Sequence, residues 1–201
     1  LLLENSDNNH GPVGITLADY ARQLGVHHSD AMAEWLINNG IQSTVQMAPF
    51  DLDEEMIVRL IKDPYTVGNI NDAPAHGQML CGAGENLELI TKYARELGAI
   101  SLEHAIHSMT GKLARHFNLK DRGELGEGMR ADITVFHLDE IATRNKKKVY
   151  DVPDGDGGFL WRWTRDAAPM RLTLVNGVPT FENGAFTEAL PGEMLSPGAC
   201  A

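Results

Sequence analysis

Near Asp121 the sequence changes its period, and that change limits the folds open to it more than any single motif does. Before it, apolar residues recur three and four apart, the spacing of helices that bury one face. After it, short runs of alternating or β-branched residues are separated by glycine turns, the pattern of antiparallel strands.

The helical part can be read element by element. Thr16, followed by Leu17, Tyr20, Ala21 and Leu24 on one face and by Gly25, predicts a capped helix with a glycine stop. Ser29-Asp30 predicts the start of a second helix, with Met32, Ala33, Leu36 and Ile37 inward and Gly40 as its end. Ser43 to Met47 reads as a short strand. Asp51 with Glu54 forms an acidic version of the capping box, opening a third helix through Met56, Ile57, Leu60 and Ile61 that Pro64 bars from continuing. A β-prone run from Thr66 to Ile70 then leads into Asn71-Asp72-Ala73-Pro74-Ala75-His76. Further helices are expected over residues 85–97, from Ser101 through Leu102, Ala105, Ile106 and Met109, and over residues 112–117.

In the second part, Ala131 to Phe136 predicts a strand. Leu172 to Val175, Asn176-Gly177, and Val178 to Phe181 spell out a hairpin with its two-residue turn. Glu182-Asn183-Gly184 adds another turn, and residues 151–158 read as an irregular loop. The outline is an α/β region over residues 1–118 and a mainly β region over residues 119–201. Alternation of strand and helix predicts parallel pairing, because a helix usually supplies the crossover. Two strands and their helices are too few for a closed barrel, which takes roughly 250 residues. Leu1-Leu2-Leu3 running straight into polar residues reads as the end of a buried strand whose beginning is absent, a hint of a fragment.

Composition narrows the function classes. A formal charge of −11 disfavours a nucleic-acid partner, and the one basic run, Lys146-Lys147-Lys148, reads as a solvated turn. Two cysteines, Cys81 and Cys200, argue against a disulfide framework and for a reducing, cytoplasmic setting. No window approaches the roughly 18 apolar residues of a membrane span.

The best chemical candidate is Asp72, just past a buried-looking strand. At the carboxyl end of a strand, a carboxylate can take a proton from water and pass it to a departing amine. Asn-Asp pairs also form turns, and spacing alone favours that plainer reading. His76 stands four residues on and could meet a substrate or metal, although a lone loop histidine is more often structural. Glu103, His104 and His107 share a helical spacing, but the apolar stripe of that helix leaves His104 on the outer side. His27 and His28 are adjacent, so their side chains diverge. Cys81 reads as part of a small buried segment, Met79-Leu80-Cys81, and Trp161 and Trp163 share one strand face as packing. No His-x-His, Cys-x-x-Cys, phosphate-binding glycine loop or Gly-x-Ser-x-Gly occurs.

Taken in order, these segments resemble a known family. Asn71-Asp72-Ala73-Pro74-Ala75-His76 is similar to the Ser-Asp-Ala-Gly-Ala-His signature of the N-acyl-D-amino-acid deacylases, within the amidohydrolase superfamily. Phe50 to Val67 resembles the segment leading into it, and Ser101 to Arg115 the helix pair after it. Leu119-Lys120-Asp121-Arg122-Gly123, Gly128-Met129-Arg130-Ala131-Asp132, Val175-Asn176-Gly177-Val178 and Leu190-Pro191-Gly192 resemble the family's closing β part. The resemblance runs from about Thr16 to the end.

The resemblance implies the C-terminal units of a (β/α)8 barrel plus part of a small β-sandwich. It implies hydrolysis of the amide of N-acyl-D-amino acids with zinc, held in the complete enzyme and not by this chain alone. Asp72 would be the general acid/base and a metal contact, and His76 matches the signature histidine as a second catalytic candidate. Asn71 replaces the usual serine and Pro74 a glycine, and the family's other metal ligands come from strands that match nothing here. The expected partner is a small N-acyl amino acid, with self-association through open sheet edges. Two alternatives stay open: another amide or cyclic-amide hydrolase on the same scaffold, or a truncated, non-catalytic oligomerising remnant.

Overall fold

The computed structural model describes residues 1–47, 52–67, 77–78 and 81–196. The chain is mixed α and β and divides into two compact units, Leu1–Glu54 and Glu55–Ala201.

The first unit holds strand β1 (Leu2–Asn5), helices α1 (Leu17–Leu24) and α2 (His28–Asn39), and strand β2 (Thr44–Gln46). Thr16 caps α1 as expected, its hydroxyl accepting from the Asp19 N–H, and Gly25 ends the helix at φ 68°. β1 and β2 pair antiparallel, correcting the parallel expectation. The reason is the second helix: one helix returns the chain for a parallel strand, and two in succession reverse it once more.

The face that α2 buries also differs from the expected one. Ala31, Trp35 and Asn39 are inside, whereas Ile37 is 81% exposed. Their spacing of four puts these three on one stripe. The polar loop after β1 selects that stripe: the Trp35 indole donates to Pro12 O at 2.9 Å, and Ser6 Oγ donates to Asn39 Oδ1 at 2.5 Å. A Cβ at Gly11 would come within 2.2 Å of the Asn39 side chain, so the loop closes on α2 only without one. The helix begins at His28 and is capped by His27, whose ring accepts from the Ser29 N–H, one turn position earlier than the Ser29-Asp30 start.

Helix α3 (Glu54–Lys62) starts at the boundary and runs into the second unit. After it come a 3-10 turn (Glu85–Leu87), a π-helical segment (Leu89–Glu96), α4 (Leu102–Met109) and α5 (Gly111–His116). The expected α-helix over 85–97 is therefore a wider helix, bonded at its end by Leu97 N–H to Lys92 O at 2.9 Å. Apolar spacing predicts the helix and its buried face but not which of the two hydrogen-bond patterns it takes. Ser101 caps α4 as read, its Oγ accepting from the His104 N–H.

The core of this unit joins Leu87, Ile90, Tyr93, Ile100, Ala105 and Ile141, with Ile57, Ile61, Ile106 and Met109 packed around it. Burying one such side chain stabilises by about 1.5–3 kcal/mol. Phe136 and Met170 from the β region pack on the same core, so helical and β parts share it.

Six strands follow: β3 (Ile133–Phe136), β4 (Lys146–Pro153), β5 (Phe159–Arg165), β6 (Met170–Val175), β7 (Val178–Glu182) and β8 (Ala185–Phe186). They form one antiparallel sheet in the order β3-β6-β7-β8 and a separate β4-β5 ribbon. The Asn176-Gly177 hairpin is found as expected, with both residues at positive φ, 51° and 77°, and Val175 opposite Val178.

The ribbon corrects two readings. Lys146-Lys147-Lys148 lies in β4 instead of a solvated turn, and residues 151–153, expected in a loop, belong to the same strand. Lys148 Nζ sits 4.2 Å from the centre of the Trp161 ring and Lys146 Nζ 4.9 Å from that of Trp163, cation–π contacts across the two strands. Trp161 and Trp163 do share a face, edge to face at 5.7 Å.

The closing motifs meet in one polar knot. Asp121, 9% exposed, accepts from Arg122 Nε at 3.1 Å and Arg130 Nε at 3.2 Å. Arg122 also donates to Asp132, whose other oxygen takes the Asn176 N–H at 2.8 Å. Asn176 in turn donates its amide to Pro191 O at 2.7 Å. Four segments spread over seventy residues are thus joined, the first three by charge-assisted bonds (roughly 1.5–3 kcal/mol each,) and the last by a neutral one.

Candidate functional site

Asp72 and His76, with Asn71 and Pro74 between and beside them, lie outside the described residues. What the structure defines is how the chain enters and leaves their segment.

On the entry side, α3 ends at Lys62 and the chain turns at Asp63-Pro64. Asp63 Oδ1 accepts the Tyr65 N–H at 2.8 Å and the Thr66 N–H at 3.1 Å, holding the turn after Pro64 has ended the helix. Lys112 Nζ donates to Asp63 O at 2.8 Å, tying the turn to α5.

On the exit side, β5 takes over. The Trp163 N–H donates to Gly77 O at 2.7 Å. A Cβ on Gly77 would stand 3.0 Å from Arg162 Cβ, so this close passage favours glycine. Two residues further along β5, Arg165 gathers Cys81 O, Ala83 O at 2.8 Å and Cys81 Sγ at 3.4 Å, with the Glu85 carboxylate at 3.8 Å. The Arg165 side chain is only 16% exposed, so these bonds form largely away from water. The described residues on either side are thus tied, Asp63 to α5 and Gly77 to β5. Arg165 escaped sequence reasoning because its partners lie more than eighty residues away.

The remaining candidates fall elsewhere. His104 is partly buried and not on the outer side, since its Nε2 meets Ile61 O at 3.2 Å and links α4 to the end of α3. A carbonyl only accepts, so that nitrogen carries the proton. His107 faces Arg115, with 2.6 Å between Nε2 and Nη2. His27 and His28 are exposed, their rings 5.5 Å apart and edge to face. Cys81 is half-buried under Arg165, while Met79 and Leu80 lie outside the described residues. Among the described residues no three His, Cys, Asp or Glu side chains are grouped so as to hold a metal ion. None of the described helices is long and apolar enough to cross a membrane.

Residues 23–181 match the model of the Amidohydrolase family. The chain belongs to that family. Within it, the chain is similar to a D-aminoacylase of Alcaligenes xylosoxydans xylosoxydans, 36% identical over 151 residues, covering 73% of this chain and 28% of that protein. A crystal structure of D-aminoacylase shares the fold, with a TM-score of 0.54 and 24% identity over 88% of this chain and 33% of its own. N-acyl-D-glutamate deacylase from Bordetella bronchiseptica, solved with zinc and a phosphonate mimic of the tetrahedral intermediate, aligns with a TM-score of 0.50 and 26% identity, covering 90% of this chain and 36% of that one. The chain thus spans about a third of these relatives' length.

Proposed function

We propose that this chain is the C-terminal part of a hydrolase that cleaves the amide of N-acyl-D-amino acids with metal-activated water. The match to D-aminoacylase over 151 residues carries the reading. The signature around Asp72 lies inside the family match. In this reading residues 1–118 contribute the last units of a (β/α)8 barrel and residues 119–201 most of a small β-sandwich domain, in a cytoplasmic enzyme.

Asp72 is assigned the proton transfers. Hydrolysis needs a base to take a proton from the attacking water and an acid to protonate the leaving nitrogen, and one carboxylate can do both in turn. Gly77 and Arg165 fasten the chain just beyond it, which suits a group that must be held in place. His76 is assigned to the same site as a substrate or metal contact.

Zinc, present in the related glutamate deacylase, would polarise the acyl carbonyl and activate the water. The residues of this chain do not suffice to hold it. A catalytic zinc takes about three protein ligands, the sequence has no His-x-His, and Asp72 alone supplies one carboxylate. The other ligands would come from strands outside these 201 residues. The β4-β5 ribbon and the β1-β2 pair would be covered in the assembled enzyme, or by a second copy.

A stereochemical product assay tests the reading. The complete enzyme, given N-acetyl-D- and N-acetyl-L-amino acids and a cyclic ureide, should release acetate and free amino acid from the D series. Turnover of the ureide alone would move the assignment to cyclic-amide hydrolysis, and no turnover of any would leave a non-catalytic scaffold.

A further inference from the structure

In a chain of formal charge −11, one recess gathers positive charge. It lies between the end of α3 and the α4–α5 pair, has a volume of about 540 Å³, and is lined by Lys62, His107, Ser108, Lys112 and Arg115 among others. No carboxylate lines it among the described residues. The Asp63 side chain holds the Tyr65 and Thr66 N–H groups, whereas Glu124 pairs with Arg115 at the edge of the recess, accepting from its Nη1 at 2.9 Å.

Two features distinguish this recess from a merely charged surface. First, its donors are ordered. Arg115 Nη2 donates to His107 Nε2, which leaves the His107 proton on Nδ1. Lys112 spends one of its three N–H bonds on Asp63 O. Second, Ser108 is 7% exposed, and its Oγ, shut off from water, has no hydrogen-bond partner among the described residues. Helix serines commonly turn back to a carbonyl one turn earlier, and this one does not. A buried hydroxyl without a partner is costly, and such groups call for an explanation.

We propose that the recess is a binding site for a small oxyanion of the phosphate or carboxylate class. Lys112 supplies the charge, Arg115 the N–H donors that Glu124 and His107 leave unused, and Ser108, which lines the recess, a hydroxyl without a partner among the described residues. The described residues that line the recess include none assigned to the proposed hydrolysis.

Calorimetric titration of the 201-residue chain with inorganic phosphate, and separately with acetate, tests this. One saturable site is expected for at least one of the two; which anion binds more tightly identifies the class. Lys112→Ala and Arg115→Ala should each weaken binding about tenfold, the scale of one charge-assisted hydrogen bond. Ser108→Ala separates binding from folding: it removes an unpaired buried hydroxyl, so it should raise Tm slightly while weakening the anion severalfold. Absence of saturation, affinity unmoved by Lys112→Ala and Ser108→Ala, or equal loss when Lys146, Lys147 and Lys148 are replaced by alanine would overturn the assignment.

Discussion

Helices α2 and α4 carry similar apolar stripes in sequence, yet only one of them buries the stripe it advertises. In α4, Leu102, Ala105, Ile106 and Met109 all pack on the core of their unit. In α2, Leu36 and Ile37 face outward, and the helix is instead held through Ala31, Trp35 and Asn39. The difference lies in what each helix meets. α4 meets an apolar cluster from three other elements; α2 meets a polar loop that offers carbonyls and a serine hydroxyl. A stripe is a capacity for burial, and the neighbours decide whether it is used.

The contrast can be broken by substitution. Trp35→Ala should have the largest effect, about 3–5 kcal/mol, because it empties a fully buried site and strands Pro12 O. Amide exchange in α1 and α2 would report it, and unchanged protection there would show that Trp35 is not their anchor. Ile106→Lys on α4 should cost about 1.5–3 kcal/mol of the second unit's stability in urea titrations. The same change on α2, Ile37→Lys, should stay within about 0.5 kcal/mol and reduce self-association in sedimentation. If the two lysine variants were equally damaging, the distinction between the helices would fail.

The smallest expected effect is a pH dependence in α1. The Thr16 hydroxyl, followed by the Arg22 guanidinium, holds the Asp19 carboxyl below its ordinary value of 3.8. Its contribution is therefore full above that value and fades as pH falls through the lowered one. Asp19→Asn should flatten the helicity of α1, followed by circular dichroism, over that acidic range.

Much of the fold was legible because local chemistry agreed with it. Thr16, Gly25 and Ser101 mark helix ends by bonds made within four residues, and Asn176-Gly177 fixes a hairpin by its own dihedral angles. What sequence reasoning missed depends on distant partners. β4 hides in a lysine run, since only Trp161 and Trp163 across the ribbon make those lysines strand-like. The knot of Asp121, Arg122, Arg130, Asp132 and Asn176 joins segments that no local pattern connects. The proposed site rests on the family resemblance alone. Asn71-Asp72 is by spacing an unremarkable turn former, and the Arg165 clamp joins residues that no local pattern connects.

The most direct measurement is the turnover of N-acetyl-D-amino acid by the complete enzyme carrying Asp72→Asn. The substitution keeps the shape of the side chain and removes its capacity to shuttle a proton. The account predicts a fall in kcat of about 10²–10⁴-fold with an unaltered circular dichroism spectrum. A folded Asp72→Asn enzyme that turns over at the parent rate would contradict it.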